Sequence, residues 1–103
     1  AGRAVLVSSG VAHGAHAFWG GYAVSKAGLE AMGRAWAAES EQTGLRINML
    51  NPGGTRTAMR AAAFPGENPD SLPSPATIAP AFVWMLSAKC DSQGKLYHAS
   101  ELI

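Results

Sequence analysis

One cysteine, Cys90, stands in the whole chain, so no internal disulfide can form. A lone thiol with no cysteine-rich surroundings reads as a small buried hydrophobe, and it fits a reducing, cytoplasmic location. No apolar run reaches the roughly 18 residues of a membrane span, so no membrane partner is expected. Neither sign of charge prevails: 8 Lys and Arg stand against 7 Asp and Glu, a net charge of +1. That balance gives no basic field for nucleic acid and no acidic tail. Proline is scarce outside one stretch, since Pro65, Pro69, Pro73 and Pro75 all fall within residues 58–75. A composition 48% hydrophobic and 15% charged is that of a folded chain, and 103 residues make one small domain. The chain opens at the foot of a strand, "AGRAVLVSS", with no initiator Met, which suggests a piece of a longer protein.

What is present reads as strand, helix, strand, helix, strand. "RAVLVSS" (3–9) is a short apolar run of the kind buried on both faces of a parallel sheet. Residues 10–21 form a loop with Gly and His. Residues 22–40, rich in Ala and free of Pro, read as a helix. "LRINMLNPGG" (45–54) is a second buried strand ended by Pro52-Gly53-Gly54. Residues 58–75 read as a mobile surface loop holding at most one short helix. Residues 74–88 read as a helix with Pro75 harmless in its first turn, and 94–103 as a last strand. This alternation implies a three-stranded parallel sheet with crossover helices, an α/β architecture of the doubly wound Rossmann type.

Tyr22 and Lys26 are one helical turn apart, so both side chains reach the same small volume. A phenol titrates near about pH 10, too high for a base at neutral pH. A neighbouring ammonium favours the phenolate, and a phenol so tuned can pass a proton to or from a carbonyl or hydroxyl oxygen. Alone, the spacing is equally that of an exposed helix pair. Two further features point to one place. Ser9 ends the first strand, and "NPGGTRT" (51–57) follows the second. In an open parallel sheet ligands bind beyond the carboxyl ends of the strands. On the helix, Val24, Gly28, Ala31, Ala35 and Ala38 form a small-residue stripe for a close neighbour. Ser25, Leu29, Met32 and Trp36 form a larger stripe expected to pack inward.

Ser9, then Tyr22-x-x-x-Lys26, then Pro52-Gly53-x-x-x-Thr57, resembles the C-terminal half of a short-chain dehydrogenase/reductase (SDR), over essentially the whole chain. The runs "FWGGYAVSK" and "NPGGTRTAMR" most resemble the YciK-like branch of bacterial oxidoreductases in that family. The resemblance implies hydride transfer between NAD or NADP and a small-molecule carbonyl or alcohol. It implies Tyr22 as general acid/base. Lys26 would hold the nicotinamide ribose and depress the Tyr22 pKa, and Ser9 would orient the substrate oxygen. Pro52, Gly53, Thr55 and Thr57 would join Tyr22 and Lys26 in binding the nicotinamide end. It also implies a homo-oligomer, dimer or tetramer, assembled through the helix from Tyr22 to Glu39.

Much of such a family's pattern has no counterpart here. The chain contains no G-x-x-x-G-x-G phosphate loop and no Asn-Asn-Ala-Gly segment, and the last strand offers His98 where an Asp is usual. Residues 1–103 therefore read as the catalytic half of one Rossmann domain, inactive alone. A second reading is a non-catalytic, SDR-derived assembly module. SDR-type dehydratases and epimerases share the Tyr and Lys, so the motif leaves the reaction open. His13 and His16 show no metal-ligand spacing and are candidate linings of a substrate pocket. Phe18 and Trp19 read as packing residues, Trp84, Met85 and Leu86 as core, and Arg56 and Arg60 as solvated surface.

Overall fold

A computed structural model describes residues 2–103. Its elements are β1 (Arg3–Val7), α1 (Gly20–Glu39), β2 (Arg46–Asn51), α2 (Ala58–Ala63), α3 (Pro75–Met85) and β3 (Leu96–His98). Short 3-10 turns lie at Gly10–His13, Pro69–Ser71 and Ala99–Glu101. The three strands form one parallel sheet in the order β1-β2-β3. Val7 pairs with Leu50, and Asn51 with His98, so the carboxyl ends of all three strands lie side by side. No helix among the described residues is long and apolar enough to cross a membrane.

β2 is the centre. Ile47, Asn48, Met49 and Leu50 are all buried, because alternate side chains meet helices on opposite faces of the sheet. On one face Gly33 of α1 lies against Leu6 and Met49. On the other, Ile78, Ala81 and Met85 of α3 join Leu50, Cys90, Tyr97 and Ala99 in the main core cluster. Buried Asn48 is fully used: its Oδ1 accepts from Ser92 Oγ and Lys95 N, and its Nδ2 donates to the Ser92 carbonyl. That network pins the connection entering β3. α3 starts where Ser74 Oγ accepts from Thr77 N, with Pro75 in the first turn.

Several expectations change. β1 is only half-buried, since it pairs on one side alone. It also ends two residues earlier than read, because Ser9 turns to cap the Gly10–His13 turn. The stripes of α1 are shifted. Met32 and Trp36, expected to pack, are exposed, and the inward face is Lys26, Glu30, Gly33 and Ala37. The small stripe Val24, Gly28, Ala31, Ala35 and Ala38 faces outward. Phe18 is fully exposed at a φ of 70°, and Leu86 is exposed at the end of α3, so neither is a packing residue. Met85 is core and Trp84 is partly buried beside the Tyr97 ring.

Gly33 sets the approach of α1 to the sheet. A Cβ there would stand 2.8 Å from both Leu6 Cδ1 and Met49 Sδ. Gly33→Val is therefore expected to overpack the helix–sheet contact and cost about 1–3 kcal/mol. Thermal or urea unfolding of the full-length protein checks this, and an unchanged midpoint would show that α1 can shift freely.

Candidate active site

The sheet's carboxyl edge collects the predicted residues. Tyr22 lies in the first turn of α1, 40% exposed. Lys26, one turn on, points its Nζ 5.7 Å from the Tyr22 ring centroid and donates it to the Val7 carbonyl at 3.1 Å. That bond ties the Tyr–Lys pair to the end of β1, two residues before Ser9. Ser9 is half-buried with extended backbone, and its Oγ accepts from Val11 N at 3.4 Å.

The turn after β2 lies alongside. Asn51 Oδ1 accepts from Gly53 N at 3.0 Å, and Gly53 takes a φ of +74°, which favours glycine. Thr55 Oγ1 donates to the Gly53 carbonyl, and Thr57 Oγ1 accepts from Arg60 N to cap α2. A Cβ on Gly10 would lie 3.7 Å from Asn51 Nδ2, so the two loops are neighbours. His98 is within hydrogen-bond distance of the same Asn51 amide, Nδ1 to Nδ2 at 3.2 Å, and so supports this turn itself. A cavity of about 170 Å³ opens between Asn51–Gly53 and the 98–101 segment.

The segment expected as a mobile loop contains one short helix, α2, as read. It also has an internal tie the sequence reading missed. Arg60 makes paired bonds to Glu67, at 2.8 and 2.9 Å, and lies 3.8 Å over the Phe64 ring. Its guanidinium is thus committed rather than merely solvated, and its hydrogen bond holds the Glu67 carboxyl below the usual carboxylate range. Arg56, by contrast, is exposed and 3.5 Å from exposed Asp70. Phe64 stacks on Trp19, 5.5 Å between centroids, and Trp19 meets the Tyr22 ring edge-on at 5.8 Å. This aromatic contact joins the segment to the start of the Tyr22 helix. In the full-length protein, Arg60→Met is expected to speed amide exchange across residues 58–72 several-fold, while bound dinucleotide and substrate slow it in the wild type. Identical exchange in all three states would remove any lid role.

A third group was not anticipated. Glu30, 4% exposed, accepts from Ser8 Oγ on one carboxylate oxygen and lies 2.8 Å from His13 Nε2 on the other. Burial alone would push this carboxyl up. The bonds from Ser8 and His13, with the charges of His13 and Arg34, outweigh it and hold the carboxyl below its ordinary range. His13 thus turns to Glu30, while His16 stays exposed. The available signal was spacing: Glu30 follows Lys26 by four residues and so shares its inward face.

Comparison with known proteins identifies the family. The family model described as short chain dehydrogenase matches residues 1–68. The uncharacterized oxidoreductase YciK of Escherichia coli K12 is 50% identical over 86 residues, which is 84% of this chain and 34% of that protein. The solved structure of the oxidoreductase yciK from E. coli superposes with a TM-score of 0.88 at 44% identity, over 94% of this chain and 40% of that one. A short chain dehydrogenase from E. coli CFT073, complexed with NADPH, superposes with a TM-score of 0.86, also at 44% identity, over 94% of this chain and 40% of that one. The counterpart from Shigella flexneri, complexed with NADP, gives the same score and identity over 93% and 40%. The chain thus spans about a third of the curated relative's length, and with its fold, its family match and 50% identity to YciK over the 86 aligned residues, it belongs to the short-chain dehydrogenase family.

Proposed function

We propose that residues 1–103 are the catalytic half of an NADP(H)- or NAD(H)-dependent oxidoreductase acting on a small carbonyl or alcohol compound. The observation that carries this reading is the Tyr22–Lys26 pair, anchored by the Lys26–Val7 bond at the strand edge that also holds Ser9. The residues present fit a nicotinamide end. Gly53 has nothing within 4 Å of where a Cβ would stand, so a flat ring can approach the backbone there. Thr57 spends an acceptor site on the α2 cap and keeps its own O–H proton to donate toward a carboxamide. Thr55 is held in the same turn by its bond to the Gly53 carbonyl. Lys26 has three N–H donors and uses one on Val7, leaving two for ribose hydroxyls. The bound dinucleotide supplies or accepts the hydride.

The protein's own residues handle position and proton. Ser9 donates a hydrogen bond to the substrate oxygen and orients it. Tyr22 gives its phenolic proton to that oxygen in reduction and takes it back in oxidation. Lys26 holds its ammonium beside the ring, 5.7 Å from the centroid. The outward stripe of Val24, Gly28, Ala31 and Ala35, flanked by exposed Met32 and Trp36, supports assembly with a second copy through α1. That same stripe is what favours the non-catalytic assembly reading. The test is to incubate the full-length protein with NADPH or NADH and a panel of aliphatic and aromatic aldehydes and ketones. Consumption of reduced nicotinamide with matching alcohol formation is expected. Dinucleotide binding with no turnover across the panel and its alcohols would favour the assembly module.

A further inference from the structure

We infer that Glu30 is a positioning residue for Ser9: its carboxylate clasps Ser8 and His13 and thereby fixes the four residues between them. The inference rests on the catalytic reading of Ser9 and goes beyond it. Glu30 is nearly inaccessible, with its side chain 6% exposed, and a carboxylate that deep persists only when both oxygens are partnered. One oxygen takes Ser8 Oγ at the end of β1, and the other takes His13 Nε2 at the end of the Gly10–His13 turn. Arg34, 3.9 Å away and exposed, adds only a distant charge.

The two bonds bracket Ser9. Ser8 is also held from the sheet side, since its amide donates to the Leu50 carbonyl at 2.7 Å. Within the bracket Ser9 Oγ accepts from Val11 N, so its rotamer depends on the turn keeping its shape. The inward face of α1 therefore holds successive residues where β1 ends with successive turns: Lys26 holds the Val7 carbonyl, and Glu30 holds the Ser8 hydroxyl. Tyr22, Lys26 and Glu30 lie on one helix at four-residue steps. The helix that carries the phenol thus also sets the segment that carries the serine, and the clasp fixes the distance between the two.

The experiment uses the full-length enzyme with NADPH and the best carbonyl compound of the panel above. Glu30→Met keeps length and helix preference but removes both acceptors, and His13→Ala removes one arm from the exposed side without touching the core. Glu30→Met is expected to lower kcat by roughly ten- to a hundredfold, the scale of an ångström-level misplacement. His13→Ala gives a smaller loss, Glu30→Gln recovers most of it, and the NADPH dissociation constant stays within about twofold throughout. Amide exchange at residues 9–13 rises in Glu30→Met and His13→Ala. In a Ser9→Ala background Glu30→Met adds no more than about twofold, because the residue it positions is gone. Wild-type kcat in both variants, or losses that multiply with that of Ser9→Ala, would overturn the proposal. Should Glu30→Met not fold, His13→Ala with its exchange readout decides alone. Full turnover in Ser9→Ala itself would instead remove the catalytic reading of the edge, and the role of the clasp with it.

Discussion

Tyr22→Phe in the full-length enzyme is expected to cut turnover by about 10²- to 10⁴-fold, the range that a general acid or base supplies. The substitution removes only a hydroxyl. The ring keeps its edge-on contact with Trp19 and its place beside Lys26, so packing at the start of α1 is preserved. NADPH affinity should therefore change little, and the loss should fall on kcat. Lys26→Ala should behave differently. It removes the cation beside the phenol, two donors available for ribose hydroxyls and the bond to the Val7 carbonyl, so both kcat and dinucleotide affinity should fall. Steady-state kinetics with a parallel NADPH titration separates the two patterns. Near-normal kcat in Tyr22→Phe would show that another group moves the proton.

The contrast between the two variants follows from where α1 sits. Its N-terminal turn is open to solvent and carries the phenol, while its third and fourth turns bury Glu30 and Gly33 against the sheet. The Tyr22–Lys26 contact and the anchoring bond to Val7 meet at one side chain, so a substitution at Lys26 is expected to affect both and one at Tyr22 only the first. The 58–75 segment is tied to the same turn by aromatic contact, since Trp19 lies between Tyr22 and Phe64.

The strands, the helices and the sheet edge were legible because their signals are local, but the last strand, read over 94–103, is only Leu96–His98 before the chain turns at Ala99–Glu101. A Val-rich run, an Ala-rich run without Pro and a Pro-Gly-Gly turn each declare themselves within a few residues. The face of α1 was not legible. Ala and Gly occupy so much of the helix that two stripes competed, and hydrophobicity favoured Met32 and Trp36, which are exposed. The buried face was marked instead by its polar members, Lys26 and Glu30, whose partners Val7, Ser8 and His13 lie far along the chain. Side-chain periodicity carries no sign of such pairing, because a carboxylate on a helix usually means solvent. Arg60 and Glu67 were missed for a related reason. Seven residues separate them, with Pro65 and Gly66 between, so no helical spacing announced the pair. Phe18 was misplaced because an aromatic ring in a loop is ordinarily packed, whereas here a φ of 70° turns it outward.

The 103-residue chain expressed alone should neither turn over substrate nor bind NADPH in the micromolar range. A dinucleotide's pyrophosphate is held at a glycine-rich turn on a helix N-terminus, where backbone N–H groups and the helix dipole meet its charge. The sequence contains no such turn, and what it offers is a nicotinamide end through Tyr22, Lys26 and the Pro52–Thr57 segment. A ligand held at one end gives up the larger share of its contacts while still losing its translational and rotational freedom. The isolated chain should also self-associate. Among the described residues β1 pairs only with β2, which leaves a parallel-sheet edge with unpaired N–H and C=O groups, and Val7 on that strand is exposed. Val24, Met32 and Met59 add further exposed apolar surface. Light scattering on the purified chain should report oligomers or aggregate, and fluorescence titration with NADPH should stay flat at micromolar concentrations. Adding the glycine-rich half of a dinucleotide-binding domain in the same polypeptide should restore both a defined oligomer and saturable binding. A monodisperse monomer that binds NADPH at micromolar concentration would mean that residues 1–103 form a complete dinucleotide site of their own, and the reading of this chain as half of an active site would be wrong.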